Sequence, residues 1–120
     1  MNKIKVKKLK IEALQHARKL IQNGDEEYIC HALNEFVYIG LLEDLDGARE
    51  AVVSNLKRYI RQAFNTEFSY YSLEDWLLKE EICTKKVAYK YRHKARQTRL
   101  NWIDWMIACL SEDVAKLEKK

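Results

Sequence analysis

Proline is absent from this chain of 120 residues, and glycine occurs only at Gly24, Gly40 and Gly47. Average usage of about 5% would give roughly six prolines. Because both residues interrupt helices and strands, their scarcity predicts a chain that is mostly α-helical. We therefore expect an all-α fold of about five helices around a long C-terminal helix, in one compact bundle that forms a single domain over residues 1–120.

Long apolar runs are also missing, since no stretch approaches the roughly 18 residues of a membrane span. The lysine-rich start is not followed by the apolar block of a signal peptide, so we expect a cytoplasmic protein that does not enter a membrane. The three cysteines, Cys30, Cys83 and Cys109, are an odd number, which argues against a disulfide framework. Cys30 and Cys109 are typical of small packing residues in a core.

Patterns that support catalysis or metal binding are lacking. There is no glycine-rich phosphate loop, no Gly-x-Ser-x-Gly motif and no Cys-x-x-Cys or His-x-x-x-His pair. The acidic groups at residues 25–27 and 43–46 stand where helix caps and first turns attract carboxylates. The sequence therefore predicts no enzyme, no metal site and no cofactor.

Acidic residues are absent from residues 85–99, which carry seven lysines and arginines. This stretch is named the basic segment. The rest of the chain has 15 basic and 18 acidic residues, so the formal net charge of +4 is concentrated in the basic segment. A run of this length without one acid departs from the mixed signs of an ordinary surface and predicts an anion-binding surface.

The basic segment also supplies the groups that recognise phosphate. Guanidinium forks bind phosphate with paired hydrogen bonds, lysines supply positive charge, and tyrosine rings stack on bases. The candidate ligand-binding residues are Lys85, Lys86, Tyr89, Lys90, Tyr91, Arg92, His93, Arg96 and Arg99. The alternative interpretation is a solvated helix face whose charges pair with acids on the second or third helix.

Apolar residues at helical spacing predict the first two helices. Helix one is expected from about Lys8 to Asn23, with Gly24 as its end. Residues 1–8 fit an extended basic arm or a short edge strand as well as the frayed start of a helix. Asp25 can cap a second helix that ends before Gly40. Its inward face consists of Ile29, Ala32, Leu33, Phe36 and Val37.

A third helix is expected from Asp44 or Asp46 to about Phe64. Its predicted inward residues are Ala48, Val52, Leu56, Tyr59, Ile60 and Ala63, and its outward residues are Arg49, Lys57, Arg58 and Arg61. Ser72 begins the sequence Ser-Leu-Glu-Asp, which is close to a capping box and predicts a short fourth helix.

The last helix, with Thr84 as a candidate cap, is expected to run for about 30 residues. Beyond Arg99 it becomes apolar, with a seam formed by Leu100, Ile103, Ile107, Leu110, Val114 and Leu117. A helix that is apolar over so much of its girth is usually buried by several neighbours. We therefore expect the stretch Arg99–Leu110 to be the centre of the core, and to hold the basic segment in position.

Three stretches, YICHAL at residues 28–33, YSLEDWL at 71–77 and RLNWIDWMI at 99–107, resemble small helical proteins encoded by tailed bacteriophages. The matching positions are mostly structural in type, so no binding residue is carried over. The resemblance implies an accessory protein that binds and neutralises a factor in the host cytoplasm. Some phage proteins of this size are anti-CRISPR proteins, and others are sponges for cyclic nucleotide signals.

These observations predict a binding protein that acts without catalysis. The leading hypothesis is that the basic segment captures a signalling nucleotide or a nucleic acid. The alternative is a protein–protein inhibitor of a host defence factor, or an assembly partner, that acts through large apolar side chains. Trp105 and the group Leu41, Leu42 and Leu45 motivate this alternative, and such a surface would also serve a homo-oligomer.

Overall fold

The computed structural model describes residues 2–42, 47–63 and 85–119, with the backbone alone at 62–63 and 85–95. These residues form four α-helices and no strand: α1 (Lys3–Asn23), α2 (Ile29–Ile39), α3 (Ala48–Ala63) and α4 (Lys85–Glu118). The all-α prediction is confirmed, with four helices rather than five in the described part of the chain. The short helix predicted from Ser72 lies outside the described residues.

α1 begins at Lys3, not at about Lys8. The Asn2 side chain caps it by accepting a hydrogen bond from the Lys5 amide at 2.8 Å. Val6 and Leu9 pack against the core, which explains why this lysine-rich start is helical and not an extended arm. The helix ends as predicted at Gly24, whose φ of 80° is the left-handed conformation of a C-cap.

α2 and α3 pack on each other and on α1. α2 begins after Tyr28 as its N-cap residue, not after Asp25. It buries most of the predicted face, namely Ile29, Ala32, Leu33 and Phe36, while Val37 is half-buried. α3 buries Val52, Val53, Leu56 and Ile60. Tyr59, which was predicted to face inward, is 48% exposed, because the buried stripe of α3 runs through Val53 instead.

Arg49 in the first turn of α3 crosses to α2 instead of pointing outward. Its Nη1 donates a hydrogen bond to the Phe36 carbonyl oxygen at 2.9 Å, and its guanidinium carbon lies 4.2 Å from the centroid of the Phe36 ring. That carbonyl belongs to the last turn of α2, where helix carbonyls lack partners within the helix. Arg49 therefore satisfies the end of α2 and adds a cation–π contact between the two helices.

α1, not α4, is the helix around which the described core is organised. It packs extensively against each of the other three described helices, whereas α4 packs mainly on α1. Four of its residues are completely buried, namely Ala13, Leu14, Ala17 and Ile21. The alanines let neighbouring helices approach closely, since the distance between helix axes depends on the side chains at the contact. Within the described residues, α1 therefore contacts more helices than the last helix does.

α4 forms one wall of the core through the predicted seam. Leu100, Ile103, Leu110 and Val114 are buried, and Ile107 and Leu117 are half-buried. α4 runs antiparallel to α1. Lys7 near the start of α1 pairs with Asp113 near the end of α4 at 3.2 Å, and Arg18 further along α1 pairs with Asp104 further back on α4 at 2.7 Å. With 34 residues in α4, the molecule is elongated and measures 54 × 30 × 24 Å.

Candidate anion-binding site

The basic segment occupies the start of α4 and extends past the end of α1. Arg96 is level with that end, because its Nη2 comes within 3.8 Å of the position a Cβ would take at Gly24. At 1.5 Å per residue, residues 85–95 carry α4 about 16 Å further. The candidate residues on this length are Lys85, Lys86, Tyr89, Lys90, Tyr91, Arg92 and His93, whose side chains lie outside the described part of the chain.

Arg96 is half-buried beside the C-terminal end of α1. The last carbonyl groups of a helix carry partial negative charge, which favours a cation at this position. Asp25 follows directly, and its amide donates a hydrogen bond to the Leu20 carbonyl oxygen at 2.9 Å as part of the turn that closes α1. Arg96 therefore stabilises the end of α1, and only its exposed part remains for a ligand.

Arg99 is buried, with 4% of its surface exposed. Its guanidinium carbon lies 5.1 Å from the centroid of the Tyr28 ring, which is itself 6% exposed. A cation over the face of an aromatic ring is attracted by the ring electrons, and more strongly where water is excluded. Arg99 therefore joins α4 to the start of α2 and does not belong to the exposed ligand surface that the sequence predicted.

Three carboxylates, Asp25, Glu26 and Glu27, lie in the turn between the two points that Arg96 and Arg99 contact. Glu26 is also 3.7 Å from Nδ1 of His31 in the first turn of α2. The predicted alternative, in which the basic segment pairs with acids on the second or third helix, stays a prediction. The C-terminal part of the basic segment is therefore structural, and the candidate ligand surface is the part from Lys85 to Lys94.

A second basic region, whose residues are far apart in the sequence, lies at the opposite end of the α1–α4 pair. It is an open cleft of about 640 Å³ between the start of α1 and the end of α4. The lining residues are Lys3, Val6, Lys7, Lys10, Asp113, Lys116 and Leu117. Lys3, Lys7 and Lys10 have the spacing of one helix face, but this signal depends on a helical start, which the sequence pattern of residues 1–8 does not distinguish from an extended arm.

Lys10 at the inner end of this cleft is held against α3. Its Nζ donates a hydrogen bond to Oδ1 of Asn55 at 2.6 Å. Burial lowers the pKa of Lys10 below the ordinary value of 10.5, and the positive charge of Lys7 lowers this pKa further. The local environment therefore disfavours the ammonium form of Lys10.

An apolar surface lies at the end of α2, where large side chains face solvent. Tyr38 is 74% exposed and Leu42 is 92% exposed, and Ile39 and Leu41 are exposed beside them. The predicted neighbour Leu45 lies outside the described residues. Trp105 on α4 is also exposed, at 58%.

Cys30 is buried as predicted, whereas Cys109 is half-buried and Cys83 lies outside the described residues. Within the described ranges, no three His, Cys, Asp or Glu side chains are arranged so that they could hold one metal ion. None of the described helices has an apolar stretch of the length that a bilayer crossing requires. Comparison with known protein families, with curated proteins and with solved structures finds no match to this chain.

Proposed function

We propose that this protein binds a phosphate-bearing ligand, without catalysis, through the part of the basic segment from Lys85 to Lys94. The observation that carries the proposal is that the basic segment has no acidic residue and stands on one continuous helix. Five of its seven cations, Lys85, Lys86, Lys90, Arg92 and Lys94, precede the level at which α1 ends. These five concentrate positive potential on the length of α4 that extends beyond α1.

A nucleic acid is the form of ligand that this geometry favours. An α-helix with its side chains is about 10–12 Å wide, which is the width that the major groove of a DNA duplex admits. A length of about 16 Å also offers cations to several phosphates in succession. A signalling nucleotide has the same phosphate chemistry but would need an enclosed pocket, so the two ligands differ in how steeply their binding depends on salt.

Arg96 and Arg99 act in this proposal as positioning residues. They fasten α4 to the end of α1 and to Tyr28, directly after the part of the basic segment from Lys85 to Lys94. A helix whose inner half is fixed in this way presents its outer half in one orientation, which reduces the entropy lost on binding.

The test is a binding series with a double charge reversal, Lys90→Glu/Arg92→Glu, which leaves Arg96 and Arg99 in place. Fluorescence anisotropy with a labelled DNA duplex and a labelled single strand, and calorimetry with a cyclic dinucleotide, cover the ligand classes. We expect the variant to lose at least tenfold in affinity for the ligand that the wild type binds. The matched control is Lys5→Glu/Lys19→Glu, which makes the same charge change at two exposed positions on α1.

Two results would remove the proposal. One is wild-type protein that binds none of these ligands at low salt. The other is an equal loss of affinity in the control variant, because it would show that only the net charge matters. If the wild type binds the cyclic dinucleotide alone, the ligand is a signalling nucleotide and the nucleic acid is excluded.

A second candidate function is protein–protein interaction through the apolar surface of Tyr38, Ile39, Leu41 and Leu42. The observation in its favour is that these four residues lie within a stretch of five and that each side chain is at least 61% exposed. A contiguous apolar patch on a monomer is often an interaction site. Light scattering over a range of concentrations should show association that Leu42→Asp abolishes and the exposed control Ala108→Asp does not. A strictly monomeric wild type that also co-purifies with no protein contradicts this candidate.

The biological setting is part of the same proposal. The resemblance to accessory proteins of tailed bacteriophages favours an anti-defence role, in which the bound molecule is a signal or a factor of the host. Protein purified from bacterial cells would then carry bound material, detected by the ratio of absorbance at ultraviolet wavelengths and identified by mass spectrometry.

A further inference from the structure

We infer that the cleft between the start of α1 and the end of α4 is a second anion site, which takes a small polyphosphate. Its two helices contribute lysines from opposite ends of the chain: Lys3, Lys7 and Lys10 from α1, and Lys116 from α4. The site lies at the far end of the α1–α4 pair from the basic segment and does not depend on it.

Charge imbalance is the first observation behind this inference. Four ammonium groups line the cleft, and Asp113 is its one lining carboxylate. Asp113 pairs with Lys7 at 3.2 Å, while Lys10 is held by the neutral amide of Asn55. Lys116 has only an exposed pair with Glu112 at 3.7 Å, an arrangement that contributes little to stability. An excess of positive charge therefore remains for an anion to neutralise.

The arrangement of these charges is the second observation. Lys3, Lys7 and Lys10 have the spacing of one helix face, where like charges at three and four residues apart repel each other. Over seven residues they spread along about 10 Å of α1, which suits an anion with several linked negative groups better than a single carboxylate. Lysine is a common phosphate ligand that acts as a point charge. Val6 and Leu117 add apolar lining between the charges.

The start of α1 and the end of α4 meet at this cleft, and their opposite partial charges offset each other, so the positive potential comes from the lysines. The first turn of α1 contains no acidic residue, although the N-terminal end of a helix normally favours one. The cleft volume of about 640 Å³ falls in the range of small-molecule sites, about 300–1,000 Å³. The size of the cleft and the charge of its lysines therefore both suit a compact multivalent anion.

The probe for the test is inorganic tripolyphosphate, followed by NMR of the lysine side chains in the full chain. We expect saturable shifts at Lys10 and an increase in the pKa of Lys10, because a bound anion favours the ammonium form. Lys3→Gln/Lys116→Gln removes two exposed lysines of the cleft and should weaken binding about tenfold. Lys5→Gln/Lys19→Gln, with the same change in net charge outside the cleft lining, should change the affinity less than twofold.

Absence of tripolyphosphate shifts at Lys10, or equal weakening by the two double variants, would overturn the inference. A further variant, Lys90→Glu/Arg92→Glu, separates this site from the proposed function. It should keep the Lys10 shifts with tripolyphosphate even though its nucleic-acid binding is expected to fall. Loss of those shifts in this variant would also contradict a separate site in the cleft.

Discussion

The guanidinium carbon of Arg99 lies 5.1 Å from the centroid of the Tyr28 ring, and both residues are buried. This contact joins the middle of α4 to the residue that precedes α2, next to the end of α1. Arg99 lies at the boundary between two parts of α4. Before it the basic residues lie on a helix that extends past α1, and after it the helix belongs to the core.

The first prediction concerns Arg99 itself. Arg99→Ala should lower the free energy of unfolding by about 1–3 kcal/mol, through lost stacking, lost packing of the side-chain stem and polar groups left without a partner. The folded variant should lose less affinity for the ligand of the basic segment than the tenfold expected for Lys90→Glu/Arg92→Glu, because Arg99 positions α4 and does not contact the ligand. Urea unfolding and anisotropy measure the two effects. Unchanged stability combined with lost binding would make Arg99 a ligand residue after all.

The second prediction concerns the ion pair that fixes α1 against α4. Arg18 donates hydrogen bonds from Nε to one oxygen of Asp104 at 2.7 Å and from Nη2 to the other at 3.4 Å. Hydrogen bonding to the Asp104 carboxylate raises the pKa of Arg18, so the charged form is favoured. A double-mutant cycle with Arg18→Ala and Asp104→Ala should give a coupling of about 0.5–1 kcal/mol that decreases at high salt.

The control for this cycle is the pair Glu112–Lys116, whose side chains are both about 70% exposed. Its coupling should be about 0.3–0.5 kcal/mol. Equal coupling in the two pairs would show that the contact between α1 and α4 adds nothing beyond an ordinary surface pair.

The third prediction concerns the end of α1. Gly24 has a φ of 80°, which costs a residue with a Cβ about 1–2 kcal/mol. Gly24→Ala should therefore lower the free energy of unfolding by about 1 kcal/mol, and Gly24→Asn by less, because asparagine tolerates this conformation. Thermal unfolding of both variants tests the order. An alanine variant as stable as the wild type would contradict the left-handed cap.

The fourth prediction concerns Gly40 and Arg49. A Cβ at Gly40 would overlap the Arg49 guanidinium, which is held by the Phe36 carbonyl and ring. Gly40→Ala should therefore cost about 1–2 kcal/mol by displacing Arg49. In an Arg49→Ala background the same change should cost close to nothing, so the two effects should not add. Additive effects in urea unfolding would show that the two residues are independent.

The fifth prediction is a pH dependence that arises from Lys10. The pKa of Lys10 is lowered in the folded protein. At pH values below 10.5 where the folded protein has begun to lose this proton, the unfolded chain therefore binds more protons than the folded protein does. The contribution of Lys10 to the free energy of unfolding should therefore increase with pH in the window below 10.5. The measurement is the pH dependence of wild type minus that of Lys10→Gln. A difference that decreases over this window would contradict the lowered pKa.

Helix type and most helix ends could be predicted from the sequence, because apolar spacing and glycine positions are local signals. The part that α1 plays in the described core could not. α4 has large apolar side chains that are conspicuous in a sequence, whereas α1 is central through Ala13 and Ala17, whose small size matters only when neighbouring helices approach. How closely two helices pack depends on the residues of both helices at their contact, so the sequence of one helix alone does not predict it.

The positive charge of the candidate site could be predicted from the sequence, but which of its side chains are buried could not. The absence of acids from the basic segment is visible in the sequence, but the burial of Arg99 depends on Tyr28, which is remote along the chain and close only in the fold. The lysine cleft was missed for a similar reason. Lys3, Lys7 and Lys10 share a face only on a helix, and Lys116 joins them only because α1 and α4 are antiparallel.

The most direct measurement of the central proposal is the salt dependence of DNA binding between about 50 and 200 mM salt. Each phosphate contact contributes about 0.9 to the slope of log affinity against log salt concentration. Lys90→Gln/Arg92→Gln should therefore make the slope shallower by about 2, and Lys5→Gln/Lys19→Gln should leave it unchanged. If the two variants keep the wild-type slope, or shift it equally, the basic segment of α4 is not the surface that binds phosphate.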